Sequence, residues 1–147
     1  NVSRSSRGMV RGIHYAEVPP GQARLVTCMS GRIRDVVVDI RVDSPTFGQW
    51  EAIEVSAAAR NAMLLPYGVG HAFVALEDDT TVCYLVSDVY TPDKEHGIFP
   101  LDPAIGIDFG MPADQLLLSP KDQDAPTLSD AHAAGLLPHV SAKEPVK

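Results

Sequence analysis

Hydrophobic and polar positions alternate with a period of two along most of this chain, in short runs broken by Gly, Pro, Ser and Asp. That pattern predicts antiparallel strands joined by tight turns. Residues 22–29 alternate around Leu25, Thr27 and Met29, and Ser30-Gly31 supplies a turn. A β-branched run follows over 33–42. In it Arg34, Val36, Val38, Ile40 and Val42 share one face, while Asp35, Val37, Asp39 and Arg41 share the other. The first face is predicted to be mainly core, and the second carries polar groups that need partners. The corner Asp43-Ser44-Pro45 leads into a strand over 49–55, and Ala57-Ala58-Ala59-Arg60-Asn61 makes a turn or bend before a strand over 63–65. Pro66-Tyr67-Gly68 and Glu77-Asp78-Asp79 then bracket a strand over 71–76, followed by another over 80–86. Only residues 127–137 suit a helix, with Thr127 or Ser129 as N-cap. Short strands at this pitch predict an all-β sandwich or jelly roll with a short C-terminal helical segment. No internal repeat or linker divides the chain. The expected organisation is one domain over 1–137 and a weakly ordered tail over 138–147.

Composition narrows the class. A chain of 147 residues can bury a single core, and its 45% hydrophobic content contains no apolar stretch long enough to span a bilayer. The net charge of −7 argues against a nucleic-acid surface but not against a small anionic ligand, because a local pair of arginines can override the global sign. Cys28 and Cys83 sit inside apolar runs without CxxC spacing. They are expected to be buried free thiols in a reducing compartment, so a cytoplasmic protein is expected.

Candidate chemistry concentrates in Arg11-Gly12-Ile13-His14-Tyr15 and, past a Pro-Pro-Gly corner, in Gln22-Ala23-Arg24-Leu25-Val26. Strand side chains alternate, so Arg11 and His14 can share one cavity only if Gly12 bends the backbone between them. A base held between two fixed cations suits an anionic substrate with an acidic carbon. The competing reading makes His14 a satisfied core histidine and Arg11 and Arg24 surface charges.

Further segments extend the pattern: Asn1-Val2-Ser3-Arg4-Ser5, Asp35-Val36-Val37-Val38-Asp39-Ile40-Arg41, Ser44-Pro45-Thr46-Phe47-Gly48, Gly68-Val69-Gly70-His71-Ala72-Phe73, Tyr84 through Tyr90, Glu95-His96-Gly97-Ile98, Asp102-Pro103 and Leu118-Ser119-Pro120-Lys121-Asp122. In order and spacing, over residues 1 to about 126, they resemble the dTDP-4-dehydrorhamnose 3,5-epimerase family, sugar-nucleotide epimerases of the cupin superfamily. The flavour is that of the antibiotic deoxysugar members. The resemblance implies a cupin-type jelly roll acting on a dTDP-4-keto-6-deoxyhexose, whose C3 and C5 protons are acidified by the C4 carbonyl. It assigns His14 as base with Asp122 as its carboxylate partner, Tyr84 as acid and Arg24 as enolate stabiliser. Arg24 departs from the family's usual lysine, and the two are not interchangeable at a tight site. It further implies substrate contacts from Asn1, Ser3, Arg11, His71, Tyr90, Glu95 and Lys121, with Tyr90 stacking on thymine. Without the resemblance, Asp122 reads as a turn residue, Tyr84 as core and Tyr90 as a hydrophobic lid. The match opens inside a motif, so an N-terminal arm with a further phosphate-binding arginine is expected to be missing. A homodimer is implied, with that arm crossing to the partner and exposed sheet edges protected.

Cupins that hold a metal use two histidines one residue apart, then a carboxylate and a later histidine. Here Ile13 and Tyr15 flank His14, so one ligand of the close pair is present, and Glu17 and His71 complete only part of a set. No metal and no cofactor are expected. Two functions remain: a metal-free epimerase inverting C3, C5 or both, and a catalytically inactive cupin-like module that binds a sugar nucleotide. The joint presence of His14, Tyr84 and Asp122 favours the enzyme, because binding alone needs no acid and base at separate positions.

Overall fold

The computed structural model describes residues 1–139. Ten strands carry it: β1 Val2–Ser5, β2 Met9–Ala16, β3 Arg24–Ser30, β4 Arg32–Asp39, β5 Trp50–Ser56, β6 Ala62–Leu65, β7 Val69–Ala75, β8 Thr80–Val86, β9 Glu95–Gly97 and β10 Leu117–Leu118. Two short helices follow, α1 Pro120–Gln123 and α2 Leu128–Ala133. One sheet has the order β1-β8-β3-β6, and the other β10-β2-β7-β4-β5 with β9 also on β2. All pairings are antiparallel except β10 on β2. No helix among the described residues is long and apolar enough to cross a membrane.

The alternation places the core, but in two separate layers. Between the sheets, Val26, Cys28, Leu65 and Val82 of one meet Ile33, Val55 and Phe73 of the other. A larger cluster lies on the far side of the second sheet, where Val10, Ile13, Val36, Val38, Ile40, Ala72 and Val74 are covered by Ile98, Ile105, Phe109, Leu128, Ala131 and Leu137. Each fully buried Val, Ile, Leu or Phe side chain among these contributes about 1.5–3 kcal/mol relative to leaving it in water. In β4 the expected core face therefore is core, under the C-terminal segment rather than between the sheets. The opposite face of β4 looks inward, so Asp35 and Asp39 are buried inside the sandwich. The small inner cluster fills only part of that space, and polar side chains line the remainder.

Three local readings change. In β3 the outward residues are Leu25, Thr27 and Met29, and the inner face carries Arg24, Val26 and Cys28. Cys28 is buried as expected, with its thiol donating to the Val55 carbonyl oxygen at 3.3 Å, whereas Cys83 is only half-buried because it points outward from β8. The C-terminal helix is shorter than the predicted 127–137. Thr127 caps it as predicted, accepting from the Asp130 N–H, and it ends at Ala133 because Gly135 turns the chain at φ +69°. Pro138 accepts from the Val42 N–H and His139 Nδ1 lies 2.7 Å from Asp43. The rest of the expected tail, from 140 onward, lies outside the described residues.

Candidate active site

The site begins with a bulge in β2. Val10 and Arg11 pair with Val74 and Phe73 of β7, whereas His14 pairs with His71, so β2 gains one residue between Arg11 and His14. The extra residue reverses the alternation: Val10, Ile13 and Tyr15 all enter the outer cluster, while Arg11 and His14 turn to the other face. Gly12 makes this possible. It has φ +121°, and a Cβ there would collide with the His71 carbonyl oxygen and with Ala72. This is the bend that the sequence required of Gly12 if Arg11 and His14 were to face one interior.

His14 Nε2 donates to Asp122 Oδ1 at 2.6 Å, which leaves Nδ1 as the ring nitrogen free to act on a ligand. Asp122 belongs to α1, whose N-cap Ser119 accepts the Asp122 N–H at 3.1 Å, so a one-turn helix stands where a loop was the alternative. Asp122 is 4% exposed. Burial opposes its ionisation, but the hydrogen bond and charge of His14, the Ser119 hydroxyl and the Gly12 backbone outweigh burial and hold it below the ordinary carboxylate range. An ionised partner fixes the imidazole tautomer and stabilises the imidazolium.

His14 opens onto a cavity of about 250 Å³. Arg24 and Tyr84 reach it from β3 and β8; Tyr84 pairs with Val26 and Arg24 with Val86, which sets the two inward side chains diagonally beside each other. Arg24 Nε donates to Gln22 Oε1 at 3.0 Å and Nη2 to Glu95 Oε2 at 3.4 Å. Burial lowers the guanidinium pKa, and Glu95 and Tyr84 offset only part of that fall. Tyr90 is exposed at the mouth, and Lys121 lines the wall beside the dyad. Asn1 also lines it, its backbone paired with Tyr84 through bonds of 2.9 and 3.0 Å.

Three expected contacts lie on the interior without lining this cavity. Arg11 Nε donates to Ser5 Oγ at 3.1 Å, and Ser3 Oγ is buried without a partner. His71, beside His14 across the β2–β7 ladder, has Nε2 2.6 Å from Asp35 Oδ1, while Asp35 Oδ2 lacks a partner. Three residues were missed as site residues. Asp35 is foreshadowed by the polar face of its run. Gln22 is two residues from Arg24 and so shares its face. His96 also lines the cavity, with Nε2 2.7 Å from Glu17. The Glu17 carboxylate and the His71 Nε2 are thus engaged with His96 and Asp35 rather than with His14. Among the described residues no three His, Cys, Asp or Glu side chains gather as a metal site.

A family model described as dTDP-4-dehydrorhamnose 3,5-epimerase matches residues 1–130. The chain is 54% identical over 138 residues to a dTDP-4-dehydrorhamnose 3-epimerase of Streptomyces niveus, covering 94% of this chain and 66% of that one. It is 51% identical over 138 residues to a dTDP-4-dehydrorhamnose 3,5-epimerase of Mycolicibacterium smegmatis, covering 94% and 67%. Among solved structures, a 4-keto-6-deoxy sugar epimerase from the novobiocin biosynthetic gene cluster of Streptomyces spheroides superposes with a TM-score of 0.93 at 52% identity, covering 97% of this chain and 70% of that one. A 3'-monoepimerase from Streptomyces bikiniensis in complex with dTDP-quinovose gives 0.91 at 50%, covering 97% and 71%. The chain thus spans about two thirds of the length of the curated relatives it matches.

Proposed function

The chain belongs to the dTDP-4-dehydrorhamnose 3,5-epimerase family, and from that premise we propose that it inverts C3, C5 or both of a dTDP-4-keto-6-deoxyhexose in deoxysugar biosynthesis. The observation that carries this reading is the His14–Asp122 pair on one wall of a cavity that Tyr84 and Arg24 enter from the other sheet. His14 Nδ1 takes the proton from the carbon next to the C4 carbonyl. The electron pair moves into the C4 oxygen, and the Arg24 guanidinium holds the enolate that forms. A cation already fixed beside the cavity acts strongly there, because little must reorganise as the charge develops. The Tyr84 hydroxyl returns a proton to the opposite face, and the stereocentre is inverted. His14 then carries one proton too many and Tyr84 one too few. Both reset against water, so solvent hydrogen ends up on the inverted carbon. General base catalysis of this kind supplies about 10²–10⁴-fold.

Around the reacting sugar, Arg11 holds the diphosphate, Tyr90 stacks on the thymine ring, and Asn1, Ser3, His71, Glu95 and Lys121 make further substrate contacts. We propose a cytoplasmic homodimer as the assembled form. Support comes from the outer face of the β1-β8-β3-β6 sheet, where Leu64, Leu25 and Leu85 form a row through the registers Leu25↔Leu64 and Leu25↔Leu85, exposed at 72%, 40% and 65%. Apolar side chains set contiguously on one sheet face mark an interaction surface.

Proton NMR of dTDP-4-keto-6-deoxyglucose in D2O tests the activity. Deuterium entering C3 and C5 with the wild type but not with His14→Ala is the expected result for a double epimerase, and entry at C3 alone identifies a 3-epimerase. Saturable dTDP binding without exchange would overturn the enzyme and leave a binding module.

A further inference from the structure

Arg24 is the cation of the proposed machinery, and a guanidinium poses a problem that an ammonium does not. It is planar, with Nε, Nη1 and Nη2 in fixed relation, so its donors reach a developing oxyanion only if the plane is set. The structure shows what sets it. Nε donates to Gln22 Oε1 at 3.0 Å and Nη2 to Glu95 Oε2 at 3.4 Å, while Nη1 has no partner among the described residues. Two edges of the fork are held by protein, and the third is left for the cavity that Arg24 lines.

Gln22 is itself held. Its Nε2 donates to the Asp88 carbonyl oxygen at 3.1 Å, so the amide cannot exchange its oxygen and nitrogen without losing both bonds. Ala23 donates to Ser87 Oγ and accepts from the Ser87 N–H, each at 3.0 Å. These bonds stitch the start of β3 to the segment that leaves β8 and carries Tyr90 into the mouth of the cavity.

We propose that Gln22 is a positioning residue: it sets the plane of the Arg24 guanidinium and ties that plane to the Tyr90 segment. The idea rests on the epimerase reading above and deepens it, since Arg24 acts on the enolate while Tyr90 meets the far end of the substrate. Engagement of the nucleotide end thereby reaches the reacting carbon through one side chain. This is a route by which binding energy from a non-reacting part of a substrate raises kcat.

Two measurements decide it. The first needs no turnover: the Arg24 Nε–H resonance in a ¹⁵N-labelled sample, assigned by its loss in Arg24→Lys. It is expected to be protected from water exchange in the wild type and to lose at least about ten-fold protection in Gln22→Met, which keeps the length of the side chain and removes both hydrogen bonds. The second is steady-state epimerisation. Gln22→Met is expected to lower kcat about ten-fold with KM little changed, and Gln22→Glu, which keeps the acceptor toward Arg24, to recover part of the loss. In an Arg24→Lys background the Gln22→Met effect is expected to shrink several-fold, because lysine has no Nε to hold. Unchanged Nε–H protection in Gln22→Met, or equal losses of kcat in both backgrounds, would overturn the proposal. A wild type that exchanges no deuterium would instead overturn the epimerase reading, and the Nε–H measurement would still decide whether Gln22 positions Arg24.

Discussion

At the scale of single residues, the molecule turns on carboxylates kept ionised although burial opposes their charge. Burial raises the cost of charge at Asp122, yet His14, Ser119 and Gly12 outweigh it and its pKa falls. A folded-state pKa below the unfolded one contributes stability that is present above the ordinary carboxylate value near 4 and is lost as pH falls through the lower folded value. Asp122→Asn is therefore expected to flatten the acid limb of stability measured by urea unfolding from pH 7 downward. The same substitution removes the charge that stabilises the imidazolium, so kcat is expected to fall on the order of 10²–10⁴-fold with KM less affected. A large acid-limb change without a loss of kcat would make Asp122 structural only. Asp39 follows the same logic away from the cavity that His14 faces. Burial opposes its charge, but Arg41, Ser44 and Thr46 converge on its carboxylate, and its pKa lies far below the usual range. Asp39→Ala strands these donors in the turn after β4 and is expected to cost about 2–3 kcal/mol in chemical denaturation, while deuterium exchange at the sugar persists.

At the scale of elements, the β2 bulge is the feature on which the site depends, because one inserted residue decides whether Arg11 and His14 share a face. Gly12→Ala must place a Cβ against the His71 carbonyl in a conformation that L residues rarely adopt. It is expected to destabilise by about 3 kcal/mol and to abolish exchange at both carbons, measured by thermal unfolding and by NMR. Normal activity with a normal melting temperature would show that the bulge is not needed. The need for a bend was legible in the sequence, since strand parity forbids Arg11 and His14 from facing one cavity otherwise. Strand 80–86 was legible to the residue, because turns bracket a clean alternation. Helix α2 is shorter than residues 127–137 suggest, because Gly135 turns the chain before Leu136 and Leu137. The tie between His14 and Asp122 was legible only through resemblance. They are 108 residues apart, and no local pattern predicts which turn of a chain will dock behind a given strand.

At the scale of the whole molecule, the division of the core explains why an interior can be polar and the fold still stable. The larger cluster lies outside the sandwich, under the largely irregular segment from Ile98 to Leu137, and this leaves the space between the sheets free for Arg24, His14 and Tyr84. Periodicity revealed only the helical part of that layer, because outside α2 the covering chain is largely irregular. Phe109→Ala, which opens a void in it, is expected to lower stability by about 3–5 kcal/mol while the shape of the cavity, and hence KM, changes little. The remaining apolar surface is on the opposite side. Burying the row Leu64, Leu25 and Leu85 in a dimer would remove side chains exposed by 40% or more from water, at about 25 cal/mol for each Å² of apolar area. Placing charges at its two ends, as Leu64→Glu with Leu85→Glu, which flank Leu25 and do not oppose each other, desolvates two carboxylates in any face-to-face pairing and costs an isolated subunit little, since both side chains already meet solvent. Sedimentation is expected to find a dimer for the wild type and a folded monomer for the double variant. A dimer that survives both charges would move the interface to another surface, most simply to the sheet edge at β1 or β6, where backbone groups are open to pairing.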